Sequence, residues 1–216
     1  NQAIITVPAY FTNEQIEDTK RAAKYANIEL IELLKEPLAA TFCYGYKTNN
    51  LQSNKKSQDI LIKYPAKKPI QSYTIPDGVT SISNYAFSSS YILESISIPN
   101  SVTSIGQYAF YNCSNLISIT VKDDNTNYQS TDGVLFSKSQ DTLIKYPPKQ
   151  ANQSYTIPDS VTSIEDYAFQ SSSNLINISI PYGVKSIGKY VFDDCPNLNE
   201  VHFSKESEFN NSRLRK

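Results

Sequence analysis

The stretch IPDSVTSI at residues 157–164 decides the fold of this 216-residue chain, because close variants of it occur three more times. They read IPDGVTSI at 75–82, IPNSVTSI at 98–105 and IPYGVKSI at 180–187. These four stretches form the repeat phrase of the chain. A unit that returns with a period of roughly 20–50 residues is typical of a solenoid, in which stacked repeats share one core.

The spacing of the repeat phrase indicates that a larger block has been duplicated. Its first two copies start 23 residues apart, as do its last two, and the two pairs start 82 residues apart. The segment LIKYP at 61–65 likewise recurs at 143–147. Each block therefore holds two short repeats and one longer insert. One short repeat has too little apolar surface to offset its chain entropy, so stability is expected to come from stacking.

Each repeat phrase is followed by an aromatic triplet, a leucine and a short strand. The triplet is Tyr-Ala-Phe in three repeats and Tyr-Val-Phe in the last. Apolar and polar residues alternate in the strands, which predicts one buried face. A proline follows each strand and ends it, because proline lacks the N–H that a ladder needs. We expect an internal stack of four phenyl rings beside the isoleucines, formed by Phe87, Phe110, Phe169 and Phe192.

The insert of the second block predicts a β-hairpin. Two apolar runs, 132–136 and 142–146, flank a polar turn, and Pro147 follows the second run. The first block keeps the turn at 56–59, but it has Gln-Ser-Asn at 52–54 where the second block has Val-Leu-Phe. The first hairpin is therefore expected to lack one arm.

The repeats resemble the BspA-like class of leucine-rich repeat. The resemblance rests on the repeat phrase, the Tyr-Ala-Phe triplet, the Cys-x-x-Leu after it and the Asp-Gly-Val-Leu-Phe hairpin with its Tyr-Pro-Pro exit. It covers roughly residues 55–205. It implies a leucine-rich-repeat β-solenoid over residues 56–209. It also implies a surface or secreted protein that binds host proteins or other cells.

Residues 1–46 do not share this period. Residues 4–7 form a short apolar run, and a capping-box pattern precedes a charge order that suits a helix over 13–26. A second apolar run covers 28–34, and a short helix is predicted at 38–44. The expected order is β-α-β-α, so the whole chain is expected to be an α+β protein.

These residues resemble one piece of the ATPase domain of the seventy-kilodalton heat-shock chaperones, which has an actin-like fold. The matching residues are Ile5 to Phe11, Gln15, Thr19, Ala22, Ala26, Glu36-Pro37, Ala39-Ala40 and Tyr44-Gly45. The resemblance implies that Pro8 couples nucleotide to the interdomain state and that Glu36 lies near the metal and phosphates. The family's Asn and Thr at this motif are Lys35 and Leu38 here, and its glycine-rich phosphate loops are missing from the sequence. We therefore expect no nucleotide or other cofactor.

The composition of the chain marks a linker and a tail, and its charge argues against some classes of binding partner. A polar linker is predicted at residues 47–55, and a polar, basic tail is predicted at residues 210–216. The net charge of −1 gives no electrostatic case for binding nucleic acid or an anionic membrane. The sequence contains no run of 18 apolar residues and no signal-peptide pattern, so neither membrane insertion nor a leader is predicted. Because the sequence contains no methionine, we expect it not to be a complete, unprocessed translation product, but a fragment or a truncated gene model.

The sequence gives little support for catalytic chemistry. The single histidine, His202, lies on the last predicted strand, so no Cys–His or Ser–His pair is indicated. Cys113 and Cys195 occupy the same repeat position, too far apart for a disulfide, and are expected to be free and buried. The pairs Asp123-Asp124 and Asp193-Asp194 fit solvated turns, with a calcium loop as the alternative. We expect the chain not to be an enzyme.

The outward face of the predicted strands is the candidate protein-binding surface, since residues next to buried isoleucines point outward. The candidate residues are Ser95, Ser97, Ser118, Thr120, Asn177, Ser179, Glu200 and His202. This face has neither Trp nor Arg, which favours weak, multivalent contact. A second source of contacts is one tyrosine in each repeat, for which core packing with a solvated hydroxyl is the other interpretation. These tyrosines are Tyr85, Tyr108, Tyr167 and Tyr190.

The sequence supports three functional hypotheses. The first is a non-enzymatic leucine-rich-repeat module of a surface antigen, which binds a protein or cell-surface ligand and carries a chaperone fragment. The second is an ATP-binding chaperone fragment, and the third is a decayed gene fusion without function. The first implies a location at the cell surface or outside the cell. We also expect the solenoid to stay folded when residues 1–50 are deleted.

Overall fold

The computed structural model divides the chain into two units, Asn1–Ser57 and Gln58–Lys216. The structure describes residues 2–7, 13–25, 29–35, 59–66 and 69–204. Some sequence-based predictions fall outside these ranges. They are the short helix at 38–44, the linker at 47–55, the missing hairpin arm at 52–54, the tail at 210–216 and the chaperone-type positions Pro8 and Glu36. The domain boundaries inferred from the sequence also stay predictions.

The first unit contains a strand, a helix and a strand. Strand β1 (Gln2–Val7) is followed by helix α1 (Asn13–Tyr25) and strand β2 (Glu29–Lys35), and the two strands pair in parallel. Parallel strands need a crossover connection, which α1 supplies. Glu14 lies in the first turn of α1 and Lys24 in its last, where each charge complements the helix dipole. The predicted strand-helix-strand order is confirmed.

The second unit is a solenoid built from short strands. In chain order they are β3 (Asp59–Leu61), β4 (Ser72–Thr74), β5 (Val79–Ile82), β6 (Ser95–Ile98), β7 (Ser104–Ile105), β8 (Ser118–Val121), β9 (Tyr128–Thr131), β10 (Val134–Ser137), β11 (Thr142–Lys145), β12 (Ser154–Thr156), β13 (Ser163–Ile164), β14 (Asn177–Ile180), β15 (Ser186–Ile187) and β16 (Glu200–Phe203). Strands of successive repeats pair in parallel and in register, so like residues become neighbours, as for Ile96 and Ile119.

Each repeat contributes to two parallel ladders. The strands with alternating polar and apolar residues form β4-β6-β8 in the first block and β12-β14-β16 in the second. A second set of strands forms β3-β5-β7 in the first block and β11-β13-β15 in the second, and the repeat phrase supplies all of them except β3 and β11. The sequence analysis missed the strands that the repeat phrase supplies, β5, β7, β13 and β15. Three of these strands have only two residues, which is too short for a periodic pattern to be recognised.

The core of each block contains a stack of aromatic rings with aliphatic side chains around it. Phe87 stacks on Phe110 with ring centroids 5.6 Å apart. Tyr146, Phe169 and Phe192 form an equivalent stack with separations of 5.0 and 5.5 Å. Phe87 and Phe169 are 0% exposed, whereas Phe192 is half-buried in the last repeat described. The phenyl rings stack inside the solenoid as predicted, but the ring contacts of the described residues form two pairs, Phe87–Phe110 and Phe169–Phe192, and not one stack of four.

The predicted hairpin is present, since β10 pairs antiparallel with β11. Strand β9, which was not predicted, adds to it by pairing antiparallel with β10. In the part of the solenoid that the structure describes, this insert interrupts both parallel ladders between the two blocks. The backbone N–H of Ile119 on β8 donates to the carbonyl oxygen of Gly133 instead of to a following parallel strand (2.9 Å). The boundary between the blocks therefore differs from the boundary between ordinary repeats.

Candidate interaction surfaces

The strand face of the first block is a row of hydroxyl groups. Ser95 lies beside Ser118, and Ser97 lies beside Thr120. The hydroxyl of Ser95 donates to that of Ser72 (2.7 Å). Thr120 is exposed, and the three candidate serines are half-buried. Hydroxyls that already bond to a neighbour gain little net free energy from a new partner, so this surface favours weak contacts.

The strand face of the second block has a more varied chemistry. Asn177 lies beside Glu200, and Ser179 lies beside His202. The imidazole Nε2 of His202 hydrogen-bonds with Oε2 of Glu200 (2.9 Å), and both side chains are exposed. The two strand faces belong to different sheets. The structure therefore brings the eight candidate residues together as two sets of four and not as one row.

One tyrosine from each repeat forms a row on the outside of the solenoid. The tyrosine row consists of Tyr85, Tyr108, Tyr167 and Tyr190, whose successive ring centroids lie 5.2, 5.5 and 5.2 Å apart. Tyr85 is 46% exposed and Tyr190 is 64% exposed. Tyr108 and Tyr167 are half-buried, so core packing is the wrong interpretation for the two end members of the row only. The row crosses the boundary between the blocks without a break, because Tyr108 contacts Tyr167 directly.

The local backbone turns these rings outward. All four tyrosines have φ between 54° and 57°, in the left-handed region that residues other than glycine seldom adopt. Such a conformation costs roughly 1–2 kcal/mol per residue, so the surrounding structure has to hold it. Hydrogen bonds between repeats hold this conformation. The N–H of Tyr85 donates to the carbonyl oxygen of Gln107 (3.1 Å), and the N–H of Tyr167 donates to the carbonyl oxygen of Lys189 (3.0 Å).

A cleft of about 390 Å³ opens beside the tyrosine row, where the insert interrupts the ladders. Its walls come from the end of the first block, from the insert and from the start of the second block. This seam cleft is lined by both polar and aromatic side chains, which include Tyr108, Tyr128, Ser137, Lys145, Glu165, Asp166 and Tyr167.

The seam cleft contains a buried lysine. The ammonium of Lys145 donates to the carbonyl oxygen of Tyr167 (2.9 Å), and the residue is only 4% exposed. Burial lowers the pKa of Lys145 to about 8. Lys63, at the same position of the first block, is exposed, although it makes the equivalent bond to the carbonyl oxygen of Tyr85 (2.7 Å). The duplicated sequence thus places one lysine in water and the other inside the protein.

Two adjacent carboxyl groups also line the seam cleft. Asp166 accepts a hydrogen bond from the N–H of Lys189 through Oδ1 (2.6 Å) and one from the hydroxyl of Tyr108 through Oδ2 (3.2 Å). Partial burial and the neighbouring charge of Asp166 raise the pKa of Glu165. The hydrogen bond to Asp166 in turn raises the pKa of Tyr108. Negative charge is therefore concentrated at the cleft.

Sequence reasoning missed the seam cleft, although the duplication contained a signal for it. Glu165 and Asp166 stand where the first block has Ser83 and Asn84, 82 residues earlier. Comparison of the two blocks would therefore have marked the acidic pair as a departure from the repeat. Tyr128 belongs to β9, and no periodic pattern predicted that strand.

The two cysteines of the repeats have a structural role. The thiol of Cys113 donates to the carbonyl oxygen of Phe87 (3.0 Å), and that of Cys195 to Phe169 (3.1 Å). Both are free and buried, as predicted, and burial raises the pKa of Cys113 to about 11. A thiol of such high pKa is a poor nucleophile at neutral pH.

Within the described ranges, no group of three His, Cys, Asp or Glu side chains is arranged to hold a metal ion. The described part of the chain also lacks a helix with the length and apolar content needed to cross a membrane.

Comparison with known proteins assigns the solenoid to a family. The model of the BspA type leucine rich repeat region matches in six copies over residues 60–150 and 146–214. The crystal structure of the pneumococcal vaccine antigen PcpA is similar with a TM-score of 0.56 and 27% identity, over 64% of this chain and 40% of that one. A leucine rich cell surface protein from Faecalibacterium prausnitzii A2-165 is similar with a TM-score of 0.53 and 29% identity, over 82% of this chain and 46% of that one.

The first part of the chain matches a different family, because the Hsp70 protein model aligns with residues 1–63. The chaperone protein DnaK of Mycoplasmopsis agalactiae is 46% identical over 61 residues, which are 28% of this chain and 9% of that protein. The HscA homolog of Polynucleobacter asymbioticus is 58% identical over 43 residues, 20% of this chain and 7% of that protein. The chain thus spans less than a tenth of these curated relatives. The chain belongs to the BspA-type leucine-rich repeat family, and its residues 1–63 are similar to part of an Hsp70 protein.

Proposed function

We propose that this chain is a non-enzymatic module that binds another protein through its tyrosine row. The observation that carries the proposal is the continuity of the row, whose four rings follow one another at 5.2–5.5 Å across both blocks. Tyrosine is enriched at binding hot spots, because one side chain offers apolar area together with a hydroxyl. A continuous row of such side chains can contact one partner along the length of the solenoid.

The strand faces are the second contact surface in this proposal. Their candidate residues are Ser95, Ser97, Ser118, Thr120, Asn177, Ser179, Glu200 and His202. They lie in two separate sheets, and part of their hydrogen-bonding capacity is used internally. We expect them to add weak contacts whose effect grows when many repeats act together.

The setting that fits this module is the cell surface or the space outside the cell. One of the similar solved structures is a vaccine antigen, and the other is a cell surface protein. The chain spans less than half of either. By this likeness, we infer that the partner is an extracellular protein and that the module serves adhesion as part of a surface antigen.

Surface plasmon resonance against a panel of purified matrix and plasma proteins tests the proposal. We expect saturable binding to at least one of them, and the variant Tyr85→Ser/Tyr190→Ser should weaken that binding by about tenfold or more. The matched control is Thr120→Arg/His202→Arg, which changes exposed residues of the strand faces. Loss of binding in this control alone would show that the binding site lies on the strand faces and not on the tyrosine row. The absence of saturable binding across the panel would contradict the proposal.

A second candidate function is nucleotide binding by the first unit, which the Hsp70 match over residues 1–63 favours. In that case Glu36 and Pro8 would be the positions of interest. Isothermal calorimetry with MgATP decides between the candidates. We expect no binding heat. Saturable binding that is lost in Glu36→Ala would establish a nucleotide site. Protein binding by the repeats would then be only part of the function of this chain.

A further inference from the structure

The seam cleft lies at the middle of the tyrosine row. Tyr108 and Tyr167, which join the two halves of the row, are also part of its lining. A partner that follows the row therefore passes over the cleft. Strong interface contacts typically come from a side chain that fills a central pocket, with weaker contacts around it. The cleft is thus in the position where an anchoring side chain would enter.

The charges of the cleft are not balanced. Asp166 uses both carboxylate oxygens for hydrogen bonds to Lys189 and Tyr108. Within the part of the chain that the structure describes, no hydrogen bond or ion pair engages the carboxylate of Glu165. Asp141 lies outside the lining but next to it, since its carboxylate accepts a hydrogen bond from the hydroxyl of Ser137 on the cleft wall (2.7 Å). A cation inside the cleft would therefore meet an unpaired carboxylate with further negative charge nearby.

Lys145 does not neutralise this site. Its ammonium is directed to the backbone carbonyl of Tyr167 and forms no ion pair among the described residues. With one buried ammonium against the two carboxyl groups of Glu165 and Asp166 in the lining, the cleft keeps an excess of negative charge.

The acidic pair occurs at one repeat only, at a position that lines the cleft. The two residues that follow the repeat phrase are Glu165-Asp166 there, whereas the other three repeats have Ser83-Asn84, Gly106-Gln107 and Gly188-Lys189. Stacking of repeats does not need an acidic pair, because Asn84 makes the same bond to the next repeat that Asp166 makes. The second carboxylate, Glu165, has no role in that bond and is available for a ligand.

The residues that line the cleft favour an organic cation over a metal ion. Tyrosine rings line the cleft from both blocks and from the insert: Tyr108, Tyr128 and Tyr167. Aromatic rings attract organic cations, and a planar guanidinium both stacks on rings and pairs with a carboxylate through two N–H groups. A small metal ion would gain little from such walls, since its ligands are oxygen atoms at fixed distances.

We propose that the seam cleft binds an arginine side chain of the partner protein, with the guanidinium paired to Glu165 and packed against the tyrosine rings. This assignment rests on the proposed function, since it names the chemistry that the partner presents to the tyrosine row. It makes the partner a protein with an exposed arginine on the surface that meets the row.

The test uses NMR titration of the ¹⁵N-labelled full chain with N-acetyl-arginine-N′-methylamide. The matched probe is the citrulline compound, which has the same shape but no charge. We expect saturable shifts at residues 105–108, 128 and 165–167 with the arginine probe alone. E165Q should weaken the binding by about tenfold, and D159N, which removes a charge from an exposed turn outside the cleft, should leave it unchanged.

Three results would overturn the inference: equal shifts with citrulline, wild-type affinity in E165Q, or equal binding of the corresponding lysine probe. Folding of E165Q is verified by its unchanged amide spectrum away from the cleft. The protein panel separates this inference from the proposed function. Binding that depends on Tyr85 and Tyr190 but not on Glu165 would refute the arginine site and leave the tyrosine row as the binding surface.

Discussion

The phenolic oxygen of Tyr128 accepts a hydrogen bond from the backbone N–H of Ile105 (3.0 Å). Ile105 lies on β7, whose other edge pairs with β5 of the preceding repeat. Within the described solenoid no parallel strand follows β7, so this N–H has lost its ladder partner. A side chain from the insert thus replaces a backbone acceptor at the end of the first block.

Tyr128→Phe is expected to destabilise the solenoid by about 1–3 kcal/mol, because it leaves the N–H of Ile105 without an acceptor. Urea unfolding followed by circular dichroism measures the loss. Tyr91→Phe is the matched control, since its exposed hydroxyl accepts a hydrogen bond from the exposed amide of Asn112 (2.9 Å). Equal losses of stability in the two variants would show that the hydrogen bond of Tyr128 stabilises the solenoid no more than an exposed hydrogen bond does.

Gly106 and Gly188 allow each repeat to contact the next one closely. A Cβ atom at either glycine would lie 2.4 Å from the backbone nitrogen of Asn84 or Asp166. Gly106→Ala and Gly188→Ala should each cost about 1–3 kcal/mol or more, because the neighbouring backbone has to shift. The control is Gly183→Ala, whose Cβ would come no closer than 3.3 Å to a neighbouring atom and should be tolerated better. Urea midpoints that rank Gly183→Ala as the most damaging would refute this reasoning.

The aromatic stack of the second block should be most sensitive in its middle. Phe169→Ala removes a ring that is 0% exposed and lies between Tyr146 and Phe192. The expected loss is about 3–5 kcal/mol, the usual range for a buried phenylalanine. Phe192→Ala should cost clearly less, because Phe192 is half-buried. Chemical denaturation of both variants checks the order, and equal losses would mean that the last repeat is as well packed as the interior.

Lys145 should make stability depend on pH. Its pKa is about 8 in the folded protein and about 10.4 when unfolded, so the unfolded chain binds more protons between these values. Stability should therefore rise with pH, by about 1 kcal/mol from pH 7.5 to pH 9. Lys145→Met should lose this rise, and Lys63→Met, at the exposed equivalent position, should keep it. Urea unfolding at a series of pH values measures the slope, and an unchanged slope in Lys145→Met would contradict the assignment.

The solenoid should fold without the first residues of the chain. Deletion of residues 1–50 leaves the second unit, Gln58–Lys216, intact. Repeat proteins gain their stability from contacts between neighbouring repeats, which this deletion does not remove. We expect a single cooperative transition at a urea midpoint close to that of the full chain. Loss of the transition would show that the first unit is required for folding.

The strength of the sequence pattern explains which parts of the structure were predicted. The strands that follow the leucines alternate over four residues and recur at a constant spacing, so β6 and β14 were expected. The two-residue strands of the repeat phrase carry too little pattern, and β9 (Tyr-Gln-Ser-Thr) has no aliphatic residue to mark it. The tyrosine row was left open, because an aromatic residue next to a buried alanine fits a core position as well as a surface one.

By itself, the sequence determined the repeat, the duplication, the stacked phenyl rings and the leucine-rich repeat family, because each depends on residue types at constant spacing. Only the tertiary structure decided which of two equivalent repeat positions is exposed and which is buried. Lys63 and Lys145 share one sequence context, yet one is solvated and the other is buried. Exposure and charge balance depend on which repeat or insert packs against a residue, and that neighbour is chosen by the folded chain and not by the local motif. For the same reason only the folded structure shows the seam cleft, because its walls come from two duplicated blocks and the insert that separates them.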